Sequence, residues 1–409
     1  MTKYLTLDDV KVKDKVVLVR VDFNSPIDPN TKRILDDTRI RASGETTIKE
    51  LSEKAAKVVI LAHQGRKGDP DFIPLKQHAE ILSKIIGKPV KYVDDLFGEK
   101  AQKAIKGLKS GEILVLENVR TFVGETKEGT PEEHAKTEFV KALAPLADLF
   151  VNDAFAAAHR AHVSIVGFTA VLPSVAGRIM ERELKSLSKV LENPEKPCVY
   201  ILGGAKGDDS LEISKYVLDN GIADHVLTGG VVGQVFLVAK GFDLGAPNMK
   251  FLEEKKLMDL VSGIKELMRR YQNKIKAPVD VAVEVNKKRK EILVEKLPTK
   301  YPMFDIGAKT VEQYANMIRN AKSIVVSGPM GVFENSEFIY GTKKIFEEIA
   351  NSRAFSLAGG GHTIAALQEL GLSSKISYVS TAGGALIEFL MGKKLPGVVA
   401  LEKAAAKKP

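Results

Sequence analysis

Twelve residues, Ser356 to Leu367, carry the clearest chemistry in the chain. A short apolar run with Leu357 and Ala358 feeds Gly359, Gly360 and Gly361, then His362, Thr363 and the helix formers Ile364 to Leu367. The order is strand, glycine turn, helix. Glycines admit backbone N–H groups to an anion with no Cβ in the way, and a helix start adds free N–H groups and the positive dipole end. Related turns recur: Gly203-Gly204-Ala205-Lys206-Gly207, Gly229-Gly230, Gly328-Pro329-Met330-Gly331 ahead of Glu334, and Gly383-Gly384. Tight strand-to-helix packing accounts for any one of them and less well for five. A nucleotide, with a flat base and phosphates close to backbone, suits the set.

A different set of groups precedes Pro173. Asp22, Phe23 and Asn24 follow one apolar run; His63, Gln64, Gly65 and Arg66 follow the next. Glu117 to Arg120 come after a third, and Asn152, Asp153, His159, Arg160 and His162 after a fourth, while Arg39 opens a helix. Guanidinium groups bind carboxylate and phosphate through paired hydrogen bonds and keep their charge. Arg39, Arg66, Arg120 and Arg160, with His63, His159 and His162, point to a small polyanionic ligand. Lys206 is the lysine set in a glycine turn, placed to neutralise a group in transfer. An arginine set and a glycine set together imply transfer between two anionic ligands. Phosphoryl transfer asks mainly for positioning, charge neutralisation and dry surroundings.

These groups stand where the elements must put them. Apolar runs at Val16–Val21, Val58–Ala62, Ile113–Leu116, Leu149–Val151, Val199–Leu202, His225–Leu227, Val279–Val283, Ser323–Val326, Ala354–Leu357 and Ile376–Val379 read as strands. Amphipathic stretches at Thr38–Ala55, Leu75–Ile86, Glu132–Ala144, Ser210–Asn220, Thr310–Ala321 and Thr342–Ala350 read as helices. Continuous apolar strands alternating with helices predict parallel sheets covered on both faces, with ligands beyond the carboxyl ends of the strands. At 409 residues the chain suggests two domains. The expected boundary lies near Leu172-Pro173-Ser174, followed by a connecting helix over Val175–Leu191. Glu402–Pro409 reads as a frayed end.

Composition narrows the classes. No stretch reaches the roughly 20 apolar residues that span a bilayer, and the start from Met1-Thr2-Lys3-Tyr4 carries no secretory pattern. The lone Cys198 sits in an apolar run as core and fits a reducing cytoplasm. The net charge of +9 is spread among acids rather than gathered in a nucleic-acid motif, so a small anionic substrate is the better use of it. Neither Gly-x-x-x-x-Gly-Lys-Ser/Thr nor Gly-x-Gly-x-x-Gly occurs, which removes support for a Walker loop, a protein-kinase loop or a dinucleotide dehydrogenase.

An ordered set of short motifs now carries a resemblance. Arg20-Val-Asp-Phe-Asn24, Asp37-Thr-Arg-Ile40, His63-Gln-Gly-Arg66, Leu116-Glu-Asn-Val-Arg120 and Val151-Asn-Asp-Ala-Phe155 come first. Ala158-His-Arg-Ala-His162, Leu202-Gly-Gly-Ala-Lys206, Gly328-Pro-Met-Gly-Val-Phe-Glu334, Gly359-Gly-Gly-His-Thr363 and Ser380-Thr-Ala-Gly-Gly384 follow. Over essentially its whole length the chain resembles the phosphoglycerate kinases, of the archaeal type.

The resemblance implies an α/β chain of two Rossmann-like three-layer domains with parallel sheets, joined by a hinge helix. Residues 1–172, with a returning segment 393–409, would bind 3-phosphoglycerate; 173–392 would supply the connecting helix and the nucleotide domain. The implied reaction moves the acyl phosphate of 1,3-bisphosphoglycerate to ADP with Mg2+, giving 3-phosphoglycerate and ATP in glycolysis and running backward in gluconeogenesis. Asp22, Phe23, Asn24, Arg39, His63, Gln64, Gly65, Arg66, Arg120 and Arg160 would hold the acid. Arg39 and Lys206 would steady the moving phosphoryl, with Gly383 and Gly384 beside it. Gly204, Lys206, Gly229, Gly230, Glu334, Gly360, Gly361, His362 and Thr363 would hold the nucleotide. Partners would be these small molecules, without nucleic acid or membrane, in a cytoplasmic monomer or homodimer. Three positions depart from the common bacterial and eukaryotic pattern: His362 replaces a magnesium-contacting carboxylate, Ser210 a second lysine, and Ser327 an asparagine. They leave the metal ligands open, with Asp208 or Asp209 as substitutes.

Overall fold

The structure, a computed structural model, describes residues 3–407. They form two units: one runs to Leu184 and takes in the residues from Lys394, the other is Lys185–Lys393.

The first unit is built on six strands: β1 Val16–Arg20, β2 Lys57–Leu61, β3 Lys91–Tyr92, β4 Ile113–Val115, β5 Leu149–Asn152 and β6 Ser174–Ala176. They pair in the order β3-β4-β2-β1-β5-β6, all parallel, with Val16 opposite Lys57 and Val17 opposite Leu149. Alternate residues of β1 enter different cores. Val17 and Val19 join Val58, Ile60 and Val115 on one face. Leu18 joins Val59, Leu61, Phe139, Phe150 and Phe168 on the other. Burial on both faces is why these strands read as unbroken apolar runs rather than alternating ones. Removing one such phenylalanine side chain would cost about 3–5 kcal/mol. The chain leaves β1 toward β2 and leaves β5 toward β6, so connections diverge between neighbouring strands and open a crevice beyond their carboxyl ends.

The second unit has β7 Cys198–Leu202, β8 His225–Thr228, β9 Ile275–Lys276, then β10 Asp280–Val285, β11 Lys288–Leu293 and β12 Met303–Ile306, and finally β13 Ser323–Ser327, β14 Phe355–Gly359 and β15 Tyr378–Ser380. Six of them form a parallel sheet in the order β15-β14-β13-β7-β8-β9. Its divergence point falls between β13 and β7, where Ser323 faces Cys198.

Several expectations need correction. The run at Val279–Val283 does not join the parallel sheet; β10 is the centre of a separate antiparallel sheet, β11-β10-β12. A two-residue turn makes this hairpin, with Asn286 and Lys287 at φ 53° and 62° between the paired Val285 and Lys288. The stretch from Val175 is not wholly helical: β6 pairs with β5 before the helix Arg178–Leu191 begins. That helix crosses the division between the units at Leu184. The tail is ordered as a helix over Pro396–Ala406 rather than frayed, and the Gly397 N–H donates to the Ala158 carbonyl at 2.9 Å. Residues 408 and 409 of that tail lie outside the described residues. The stretch Glu132–Ala144 is two short helices, Pro131–His134 and Glu138–Leu143, each capped by a threonine.

Candidate functional site: an arginine pocket and a glycine cleft

In the first unit several strand-end loops meet at one pocket. Arg66, Arg120 and Arg160 line one pocket of about 990 Å³ with Lys67, Thr126 and His162. His63 lies within electrostatic reach of four guanidiniums. Burial, then Arg20, Arg120, Arg160 and Arg39, hold its imidazole well below the usual range, so the ring is neutral. Arg20 Nη2 stands 3.2 Å from His63 Nδ1. A guanidinium has only donors, so Nδ1 must accept and the ring N–H sits on Nε2. The neutral ring thereby offers a donor to an anion.

The loops that carry these groups are fastened to each other. Arg39 Nη1 pairs with Asp22 Oδ2 at 2.8 Å, and Asp22 Oδ1 accepts from the Asn24 N–H at 3.0 Å. Asn24 Oδ1 in turn accepts from the Gly65 N–H at 2.8 Å. Arg120 Nη1 donates to the Gly65 carbonyl, and Asn118 Nδ2 to the Gln64 carbonyl at 2.8 Å. Gly65 holds φ 66°, and a Cβ there would collide with the Asp71 backbone. Phe23 and Gln64, expected at the substrate, have fully buried side chains. Gln64 Oε1 accepts from the Ser25 N–H at 2.9 Å and faces His78 Nε2 at 3.0 Å, so this side chain serves the scaffold.

Beneath the arginines is a network that sequence reasoning passed over. Arg20 is buried; its Nε donates to Ser164 Oγ at 2.8 Å, and the Ser164 N–H and hydroxyl both donate to Glu125. Burial pushes the Glu125 carboxyl up to about 7, against the pull of Arg20. Burial also lowers Arg20 to about 10. Glu125 has no signature of its own in the sequence, because its partners lie far along the chain.

In the second unit three glycine turns are joined backbone to backbone at the divergence point. The Gly204 N–H donates to the Pro329 carbonyl at 2.8 Å, Gly230 N–H to Met330 at 2.8 Å, and Val232 N–H to Gly204 at 3.0 Å. Gly328, at φ 95°, lies so close to Gly203 that a Cβ would overlap its backbone. These glycines therefore do allow close packing, and in doing so they form the floor of a cleft of about 740 Å³. Gly204, Ala205, Gly230, Glu334 and His362 line the cleft together with apolar Leu237, Pro278, Val281, Met303, Phe304 and Ile306. Much of that apolar wall comes from the antiparallel sheet, which the sequence did not disclose. Asp305, in the same wall, is held by Arg289 Nη1 at 2.6 Å and the Gly341 N–H at 2.8 Å. Burial pushes its carboxyl up to about 6.

Gly360, at φ 95°, caps the helix Gly361–Glu369. The first bond inside it runs from Ile364 N–H to the Gly360 carbonyl at 3.0 Å, so the preceding N–H groups point out of the helix end. Thr363 is buried, and its Oγ1 accepts from the Gly328 N–H at 2.7 Å. Lys206 is exposed at the start of the helix Gly207–Asp219, with Asp208 and Asp209 in its first turn. Gly229 caps the helix Gly230–Ala239, and Gly383, at φ 56°, caps Gly384–Leu390. Among the described residues no three His, Cys, Asp or Glu side chains cluster so as to hold a metal, and no helix is long and apolar enough to cross a membrane.

A guanidinium-lined anion pocket in one parallel α/β unit and a half-apolar, half-backbone cleft at the divergence point of another are the equipment of a phosphotransferase. Known proteins agree. The phosphoglycerate kinase family model matches residues 7–393. The curated phosphoglycerate kinase of Methanothermobacter thermautotrophicus is 50% identical over 402 residues, covering 98% of this chain and 97% of the relative. That of Thermococcus sibiricus is 46% identical over 400 residues, 97% and 96% of the two chains. Among solved structures, phosphoglycerate kinase from Pyrococcus horikoshii superposes with a TM-score of 0.88 at 42% identity, covering 99% of this chain and all of the other. The enzyme from Coxiella burnetii gives 0.85 at 33% identity over 98% of this chain. The chain belongs to the phosphoglycerate kinase family.

Proposed function

We propose that the chain moves a phosphoryl group reversibly between the carboxyl of 3-phosphoglycerate and ADP, in the central sugar pathway and in the cytoplasm. The observation that carries this reading is the segregation of the two sites. The permanent cations Arg66, Arg120 and Arg160 share one pocket, while the glycine turns and the apolar wall share another. An acid with two anionic groups suits the first and a nucleoside phosphate the second.

The residue roles are those the family resemblance implies, and the chemistry of each group supports them. Arg66, Arg120 and Arg160 bind the acid's anionic groups, and His63 adds a neutral Nε2–H donor. Asp22 aims the Arg39 guanidinium, so that Arg39 meets the carboxyl end already oriented. Gly360 to His362 present N–H groups to nucleotide phosphate, Gly383 and Gly384 serve the moving group, and Glu334 receives ribose hydroxyls. Lys206 neutralises charge that develops in transfer, a role realised in the transition state. Thr363 acts indirectly, by holding the Gly328 turn.

Magnesium would enter with the nucleotide and neutralise its phosphate oxygens. The donor set suits a metal held mainly by phosphate and water, with one carboxylate from the protein. Asp208 or Asp209 would give it; burial, and then the adjoining Asp208, push the Asp209 carboxyl up, opposed by Lys206. Unchanged magnesium dependence in both Asp208→Ala and Asp209→Ala would dismiss this ligand assignment.

The deciding experiment is ATP consumption with 3-phosphoglycerate and magnesium, beside an Arg39→Ala control. Activity that collapses in the control is expected. ATP binding with no binding or phosphorylation of the acid would assign the arginine pocket to another anion.

A further inference from the structure

Arg20 closes β1 on the face where Leu18 meets Phe150 and Phe168, so its guanidinium is buried beside an apolar core. A buried cation is stable only where its N–H groups find acceptors. Nη1 donates to the Val21 carbonyl at 2.5 Å, Nη2 to His63 Nδ1 at 3.2 Å and Nε to Ser164 Oγ at 2.8 Å. Three directions fix the plane of the group. Ser164 is fixed in turn. Its N–H donates to Glu125 Oε2 at 2.9 Å and its hydroxyl to Glu125 Oε1, while the Val163 N–H donates to the Glu125 carbonyl at 3.1 Å. Ser164 thus presents two donors to one side chain, and only an ionised carboxylate accepts at both atoms. The hydroxyl proton goes to Glu125, which leaves the Oγ lone pairs to the Arg20 Nε–H.

We infer that Glu125 and Ser164, neither of which lines the arginine pocket, are positioning residues for the acid: they hold Arg20, and Arg20 holds His63 as the tautomer that keeps Nε2–H for an anion. The role rests on the reading that this pocket takes 3-phosphoglycerate. Without the Ser164 hydroxyl, Arg20 Nε and Glu125 Oε1 lose their shared partner together. Their opposite charges then draw the guanidinium toward the carboxylate and off His63, and a ring without that donor takes either tautomer. Glu125→Gln reaches the same end by another route. It keeps the shape but offers one acceptor atom, so either the N–H or the hydroxyl of Ser164 loses its acceptor and the buried Arg20 loses its counter-charge.

The test reads His63 directly, by NMR of the unliganded protein with nitrogen-labelled imidazoles, its signals assigned by their loss in His63→Leu. The unaltered protein is expected to show Nε2 protonated and Nδ1 bare. Ser164→Ala, and Glu125→Gln should the first variant fail to fold, are expected to show both tautomers mixed. By calorimetry each should bind 3-phosphoglycerate about tenfold more weakly, with ADP affinity held within about twofold. In a His63→Leu background, Ser164→Ala should weaken the acid by less than about threefold, because its effect runs through the ring. An Nδ1–H tautomer or an imidazolium in the unaltered protein overturns the role. So does an unchanged Nε2–H tautomer in a folded Ser164→Ala or Glu125→Gln protein, or an equal loss of acid affinity with and without His63. Failure of the unaltered protein to bind the acid would instead strike the proposed reaction, and the tautomer spectra, which need no ligand, would still decide whether Ser164 and Glu125 set the ring.

Discussion

Asp153 gives the sharpest test of how the first unit is held together. It follows β5, is buried, and joins two helices: Ser43 Oγ donates to its Oδ2 at 3.0 Å and the Ile179 N–H to its Oδ1 at 2.8 Å. Burial raises its carboxyl from 3.8 to about 6, the hydrogen bonds notwithstanding. Because the folded group holds its proton more tightly than the unfolded one, its favourable share is complete below about pH 4 and is lost as pH rises through about 6. A displacement of roughly two pH units makes ionisation in the fold cost about 3 kcal/mol at pH 8, of which about 1 kcal/mol is already present at pH 4.5. Asp153→Asn keeps an oxygen for the Ile179 N–H and removes the titration. The variant is therefore expected to gain about 2 kcal/mol on the parent between pH 4.5 and pH 8. Urea unfolding of both proteins at the two pH values measures this. A difference between the proteins that is the same at both pH values would refute the account of Asp153.

Three further outcomes are expected. Lys206→Ala should lower kcat steeply with nucleotide affinity little changed; affinity lost with kcat intact would refute its place in the transition state. Arg66→Ala should weaken 3-phosphoglycerate binding and leave ADP binding alone, as isothermal titration of each ligand would show; unchanged affinity for the acid would put Arg66 outside the site. Gly328→Ala forces a Cβ against Gly203 at a positive φ. It should cost more than about 1 kcal/mol and weaken ADP without touching acid binding. A neutral effect on both would mean that the joined turns do not set the cleft floor.

Reach along the chain divides what could be read from what could not. The long strands were legible because burial on both faces leaves an unbroken apolar run, as in Val16–Arg20 and Cys198–Leu202. The site residues were legible because parallel strands deliver their ligands in the loops just beyond them. Strands of two or three residues such as β3, β6 and β9 give too few positions for a pattern. Val279–Val283 looked like any apolar strand; only the turn at Asn286-Lys287 hints that its partner is antiparallel. Glu125, Ser164 and Arg20 are separated by tens to more than a hundred residues and carry no spacing. Thr363 reads as a nucleotide ligand from its neighbours, and its second task, accepting from the Gly328 N–H, carries no signal in the sequence.

The helix Pro396–Ala406 has a consequence for synthesis. It packs on the first unit, where Ala400 meets Ala154, Ile165 and Val166 and Gly397 bonds to Ala158. These segments lie in the stretch that leads from β5 through Arg160. During translation the first unit emerges early, but its closing piece follows only after all of Lys185–Lys393 has been made. The unit begun first is finished last: Ala158 and Ile165 wait for their helical partner until the other unit has been made.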